Sequence, residues 1–271
     1  MNRLPESPLK YRAADDREME SVYRDFPELP RSYQHGCPTC KKNRGLSENG
    51  VILWRGEEWE CDCQDQLQRA KHYLVAGIGD VYQRVHYEDW ARDPKALDAV
   101  KTYKEKHREF TDAGLGIVAY GGLGTGKTML LILLMKDLIR EYGYDAYYTT
   151  FGNLMSMFVA GWRDKATMEN YRRRISRSKL LMIDDVGRST HDAMASAEMD
   201  NILRTRVQQG RPTFITMNLE LDEFSKTYGG AAMSLLTERS VELRLDGESY
   251  REAMNDRVIT EVLKGERRPI Y

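Results

Sequence analysis

The residues Gly121-Gly-Leu-Gly-Thr-Gly-Lys-Thr128 follow the pattern Gly-x-x-x-x-Gly-Lys-Ser/Thr of a phosphate-binding loop. Between Gly121 and Gly126 the backbone must curl tightly enough for its N–H groups to point at phosphate oxygens, which a Cβ at the tight positions would obstruct. The expected ATP contacts are Gly122, Leu123, Gly124, Thr125 and Gly126 along the loop, with Lys127 on the β- and γ-phosphates and the Thr128 hydroxyl on Mg²⁺.

In Leu180-Leu-Met-Ile-Asp184-Asp185 four apolar residues lead into two carboxylates. Such a run suits a strand buried on both faces, and its C-terminal end is where a parallel sheet presents a ligand. Asp184 is the expected Mg²⁺ ligand, directly or through water, beside Thr128. Asp185 is placed to orient or deprotonate an attacking water, because phosphoryl transfer asks the protein mainly for positioning and charge stabilisation. Asn218 ends a later strand, where its amide can reach the γ-phosphate or that water. Arg239 and Arg251 are candidates to bring positive charge to the phosphates, one of them from a neighbouring subunit.

Four cysteines form a third group, Cys37 with Cys40, twenty intervening residues, then Cys61 with Cys63. Clustering of this kind points to metal ligation before disulfides. Between the pairs, Val51-Ile-Leu-Trp54 and Trp59 flank a turn centred on Arg55-Gly56, the pattern of a hairpin. Two thiolate pairs about a hairpin give a zinc-ribbon-like domain with a tetrahedral structural Zn²⁺ site. The trailing Cys-x-Cys is tighter than the usual partner, and His35 or His72 is an alternative ligand for one cysteine. A segment this short lacks a large core, so metal binding must carry much of its folding free energy.

The elements that position these groups alternate along the chain. Strands are expected at 117–120, 146–150, 180–183 and 213–217, and helices at 94–110, 129–139, 153–162 and 193–209. That alternation predicts an α/β fold, a parallel sheet flanked by helices. Residues 1–34, interrupted by four prolines with one short helix expected near 13–23, read as a mobile arm. Residues 35–77 read as the zinc module, ending in a helix near 64–74, and 78–271 as the ATPase domain.

The chain has 271 residues, 41 of them basic and 42 acidic, so no overall field drives it onto DNA or an anionic membrane. Nucleic-acid contact must come from a local patch. No apolar run nears the ~20 residues that cross a bilayer, and the N-terminus carries no hydrophobic signal region, so a cytoplasmic protein is expected.

The phosphate loop, the Leu180–Gly187 run, Arg211-Pro-Thr followed by Asn218, and Gly247-Glu-Ser-Tyr-Arg251 together resemble bacterial helicase loaders of the DnaC and DnaI type. These are AAA+ ATPases, with IstB transposition ATPases as close relatives; the resemblance covers about residues 78–255, and the cysteine module resembles the zinc-binding region of DnaI-like loaders. It implies a weak ATPase that loads a replicative DnaB-type helicase onto single-stranded DNA and self-associates through the ATP site, as a hexamer or spiral. Asn218 corresponds to the sensor-1 residue, Arg239 to the trans-acting arginine finger with Arg244 in competition, and Arg251 to the sensor-2 arginine. Where many members carry Glu this chain has Asp185, which leaves the hydrolytic base open. The family's DNA-contacting helix falls on 153–163, where Trp162 beside Arg163 supplies a stacking ring and a cation. Arg172, Arg173 and Arg174 add a local positive patch. An IstB-like regulator acting on duplex DNA and a transposase, and an ATP-binding adaptor without turnover, are the competing readings.

Overall fold

The computed structural model describes residues 75–90, 93–187, 193–247 and 249–264 and, ahead of them, only the backbone of four short strands. Five parallel strands make the central sheet: β1 (Gly116–Gly121), β2 (Ala146–Thr150), β3 (Leu180–Val186), β4 (Thr213–Met217) and β5 (Ser240–Leu245), in the order β2-β3-β4-β1-β5. The helices are α1 (Asp80–Gln83), α2 (Pro94–Glu105), α3 (His107–Asp112), α4 (Lys127–Tyr142), α5 (Phe151–Gly161), α6 (Lys165–Arg177), α7 (Ala193–Gln208), α8 (Leu221–Tyr228), α9 (Gly230–Glu238) and α10 (Arg251–Leu263).

The pleat divides the core in two. Ile117, Ala119, Leu180, Met182 and Phe214 face α4 and α2, while Val118, Leu181, Ile183, Ile215 and Met217 face the layer of α5 to α9. The inner strands therefore bury apolar residues on both faces, as a sheet covered on both sides requires, with their carboxylates and Thr216 gathered at the C-terminal ends. The α4 helix is buried from Met129 to Ile139, so it needs no polar face. It lies between the sheet and α2.

The predicted helix over 94–110 is two helices, because Lys106 leaves helical geometry at φ −102° and ψ 28°. Strand β3 runs past Ile183 to Val186 through a bulge, and α5 starts at Phe151, where the Thr150 hydroxyl accepts the Asn153 N–H. Strand β5 and helices α6, α8, α9 and α10 were absent from the sequence pattern. Strand β5 is an edge strand whose Glu242 and Arg244 are exposed, so it lacks the apolar run that marks the inner strands.

The chain arriving from the N-terminal side docks on the free edge of β2. The Tyr148 N–H donates to Ala76 O at 2.6 Å, and Ala76 is fully buried. At the opposite end of the strands the Arg206 guanidinium, 1% exposed, donates to Thr213 Oγ1, Ile175 O, Ser178 O, Lys179 O and Pro212 O. One side chain thus caps the C-terminus of α6 and ties it to the start of β4.

Near the N-terminus, Val51–Trp54 and Glu57–Glu60 pair antiparallel with Trp54 opposite Glu57, the hairpin predicted about Arg55-Gly56. Ser47–Glu48 pairs with the first of these strands and Asn2–Arg3 with the second. The four cysteines, His35, His72 and the helices expected near 13–23 and 64–74 lie outside the described residues. Among the described residues no helix is long and apolar enough to cross a membrane.

Candidate nucleotide site

Strand β1 delivers the phosphate loop to the C-terminal edge of the sheet, and α4 begins at Lys127. The first N–H groups of a helix have no intrahelical partner, so the loop and the α4 terminus present donors to an anion. Two loop glycines are demanded by close packing. Gly124 has φ 75° and a Cβ there would lie 2.3 Å from Ser249 Oγ; Gly126 has φ 91° and its Cβ would lie 2.8 Å from the Trp90 ring. The segment before α10 is therefore laid directly on the loop, with Tyr250 N–H donating to Gly124 O at 2.8 Å and the Tyr250 ring stacked on Trp90 at 5.3 Å. Arg257 of α10 is ion-paired with Asp89, which fixes the helix to the turn before α2.

A cavity of about 830 Å³ opens above the loop. Its lining includes Lys127, Thr128, Asp184, Asp185, Asn218 and Arg251, drawn from α4, β3, the end of β4 and the start of α10. The loop residues Leu123 to Gly126 line it as well, with Val81, Tyr82 and Val85 of the α1 region and Met254 forming an apolar wall. This volume lies within the range of small-molecule sites, and the mix of apolar wall and convergent polar groups suits a nucleotide.

Lys127 Nζ donates to Gly121 O at 3.0 Å and Gly122 O at 2.5 Å. Burial lowers its pKa, against the opposing pull of the Asp184 and Asp185 charges. Asp184, 6% exposed, accepts from Thr128 Oγ1 at 2.7 Å and Tyr148 Oη at 2.9 Å, and also from Thr216 Oγ1. Burial first and the Asp184 charge second push the Tyr148 phenol pKa up, so Tyr148 acts only as a neutral donor. The Tyr82 phenol is raised for the same two reasons. Thr128 and Asp184 are hard oxygen donors already in contact beside the phosphate loop, which is the donor set Mg²⁺ selects. Asp185 Oδ1 accepts from Asn218 Nδ2 at 3.1 Å, which joins the two residues expected to handle water.

Arg239 stands apart from this cavity. It immediately precedes β5, whose first residue pairs with Gly116 at the opposite end of β1, and its Nη1 donates to Ala113 O at 3.3 Å. Arg244, its competitor, is on the exposed side of β5 and bonded to Glu220 and Asp246 at 3.2 Å. Trp162 is 63% exposed at the C-terminal end of α5, edge-on to Phe158. Met155 on the same helix is buried, so the apolar stripe ends before Trp162. Arg163, Arg172 and Arg173 are exposed, whereas Arg174 is half-buried, donating to Val75 O at 3.3 Å with its guanidinium 4.6 Å from the Tyr147 ring centre.

Tyr82, Tyr148, Thr216 and Tyr250 belong to the site without having been singled out in the sequence. Each is a β-branched or aromatic residue whose local pattern reads as core; the sheet register brings Tyr148 and Thr216 to the loop, and the packing of α1 and of the segment before α10 brings Tyr82 and Tyr250.

The phosphate loop, the sheet order and the cavity define a P-loop nucleotide-binding protein. Residues 74–257 match the family described as IstB-like ATP binding protein, and the chain belongs to that family. Among its relatives, the replicative helicase loader DnaI of Bacillus subtilis (strain 168) is 26% identical over 204 residues, 69% of this chain and 63% of that protein. The replicative helicase loader DnaC of Buchnera aphidicola subsp. Schizaphis graminum is 24% identical over 240 residues, 84% of this chain and 96% of that protein. The crystal structure of the DnaC helicase loader superposes with a TM-score of 0.56 at 18% identity, covering 62% of this chain and all of that one, which shows the shared fold.

Proposed function

We propose that the protein is an ATP-dependent loader that places a replicative DnaB-type helicase on single-stranded DNA. The observation that carries this reading is the joint placement of Lys127, Thr128, Asp184, Asp185, Asn218 and Arg251 around one cavity, in a chain whose relatives are named replicative helicase loaders. Lys127 and Arg251 would hold the phosphates, and Thr128 and Asp184 would hold Mg²⁺. Bound there, Mg²⁺ would neutralise charge on the phosphate oxygens. Asp185, bonded to Asn218, would orient the water that attacks the γ-phosphorus as the bond to the β–γ bridging oxygen breaks. The shorter reach of Asp relative to Glu favours slow turnover.

The cavity lacks Arg239, so this arginine serves a neighbouring copy if it serves a phosphate at all; ATP would then stabilise self-association, and hydrolysis would release it. Exposed Trp162 with Arg163, Arg172 and Arg173 offers a ring for base stacking and cations for phosphates. The engagement of Arg174 with the arriving chain removes it from that surface. In this reading Cys37, Cys40, Cys61 and Cys63 hold Zn²⁺ in a module that engages the helicase, and the protein works in the bacterial cytoplasm.

Co-purification with the replicative helicase in ATP and in ADP tests the proposal, and no complex in either nucleotide would sink it. Metal analysis of protein never exposed to chelator tests the zinc module, which requires about one equivalent per chain. A further relative, 24% identical over 191 residues, is named an ATP-binding protein in an insertion sequence, which supports a transposition reading. Preference for duplex over single-stranded DNA would favour that second reading.

A further inference from the structure

Two consecutive carboxylates cannot both reach one face of a regular strand, because successive side chains alternate. Asp184 follows Leu180 and Met182 onto the α4 face, so an unbroken pleat would send Asp185 to the other side. The structure breaks the pleat here. Ile183 is opposite Ile215 and Val186 is opposite Met217, so Asp184 and Asp185 together face the single residue Thr216. This is a β-bulge, and Asp185 takes φ 57° within it, a left-handed conformation that Asp tolerates better than most side chains. Both carboxylates consequently line the same cavity.

A bulge leaves a ladder N–H without its strand partner. The Asp185 N–H donates instead to Thr216 Oγ1 at 3.0 Å, and the same hydroxyl donates its proton to Asp184 Oδ1. Thr216 is 1% exposed at the wall of the cavity, so bulk water does not compete for its hydroxyl. We propose that Thr216 is the positioning residue of the hydrolytic site, its one hydroxyl holding Asp185 in the bulge through the main chain and aiming Asp184 at the metal position through the side chain. A valine has the same shape and neither bond. The proposal rests on the reading of this cavity as an ATP-hydrolysing site.

The test uses the full chain as wild type, Thr216→Val and Thr216→Ser, with Lys127→Ala as the activity blank. The valine variant should lower kcat for ATP by about tenfold or more while KM stays within about twofold, and should weaken Mn²⁺ affinity, read by electron paramagnetic resonance in the presence of ADP, by about tenfold. The serine variant should restore both. Valine equal to wild type in kcat and Mn²⁺ affinity, or serine as impaired as valine, would overturn the proposal. If the valine variant does not fold, amide exchange in the wild type decides. A protected Asp185 N–H supports the hydroxyl contact, and free exchange there removes it. Wild-type turnover no greater than that of Lys127→Ala would instead defeat the ATPase reading, and the Mn²⁺ and exchange measurements would still judge Thr216.

Discussion

Replacing Arg206 by Met should be among the most destabilising single changes in the α/β domain. The guanidinium is 1% exposed and places its donors on five acceptors, four of them main-chain carbonyls, at distances from 2.5 to 3.4 Å. Burial pulls its pKa down to about 9, so at neutral pH it is charged and its bonds are charge-assisted. Methionine fills much of the volume and removes the desolvated ion, which returns some of the loss. It leaves the carbonyls of Ile175 and Ser178 with no donor in a dry site and Pro212 O with only the Leu181 N–H at 3.4 Å, at about 1–3 kcal/mol for each that cannot relax. A net loss of about 3–5 kcal/mol follows, the range for stripping one side from a buried charged network. In a unit of this size that lowers Tm by roughly 6–20 °C. Urea titration followed by circular dichroism should show the midpoint falling at unchanged m. Arg206→Lys should be intermediate, because an ammonium has three donors and no fork. An Arg206→Met protein within about 1 kcal/mol of wild type would refute the reasoning, since the carbonyls would then have found partners of their own.

Other expectations follow from the same geometry. Lys127→Ala should abolish ATP turnover and weaken nucleotide binding by at least about tenfold in a fluorescent-nucleotide titration, with the fold retained. Arg172→Gln and Arg173→Gln should each lower single-strand affinity and reduce the salt slope by about one, whereas Arg174→Gln should leave the slope unchanged and lower Tm; equal slopes in all three would count against the division. Trp162→Ala should weaken single-strand binding by about 1–3 kcal/mol with little change in stability, checked by anisotropy at fixed salt. Buried Lys136 donates to Gln83 O and Val85 O, and burial lowers its pKa from 10.5 to about 8. Between those values the unfolded chain binds the extra proton, so this group's contribution to stability rises with pH. Wild type should therefore gain about 1 kcal/mol on Lys136→Met from pH 7 to pH 9 in parallel urea titrations.

Local sequence carried the parts of the fold that depend on local rules. The glycine spacing, the apolar runs of β1, β3 and β4 and the turn residues around the N-terminal hairpin all advertise themselves, because tight phosphate loops, doubly covered strands and two-residue turns each admit few residue types. What remained hidden depends on register. Nothing around Thr216 distinguishes it from any β-branched strand residue until β3 and β4 are aligned, and the same holds for Tyr148. The aromatic stretch that ends at Trp90 was visible as irregular, but its partner Tyr250 is contributed from the far end of the domain. Arg206 looked like one more polar residue of a long helix. Helix α6 escaped notice because its charged surface outweighs the two fully buried positions, Tyr171 and Ile175, that dock it.

The docking of residues 75–77 on β2 gives the domain something like a crank. Tyr148 is gripped at both ends, its main chain by Ala76 of the arriving segment and its hydroxyl by Asp184 in the cavity. A tug on the N-terminal segment that slides it along the sheet edge therefore loads a residue whose far tip touches Asp184, the carboxylate proposed to hold Mg²⁺. Force at one end and chemistry at the other are separated by the length of a single tyrosine.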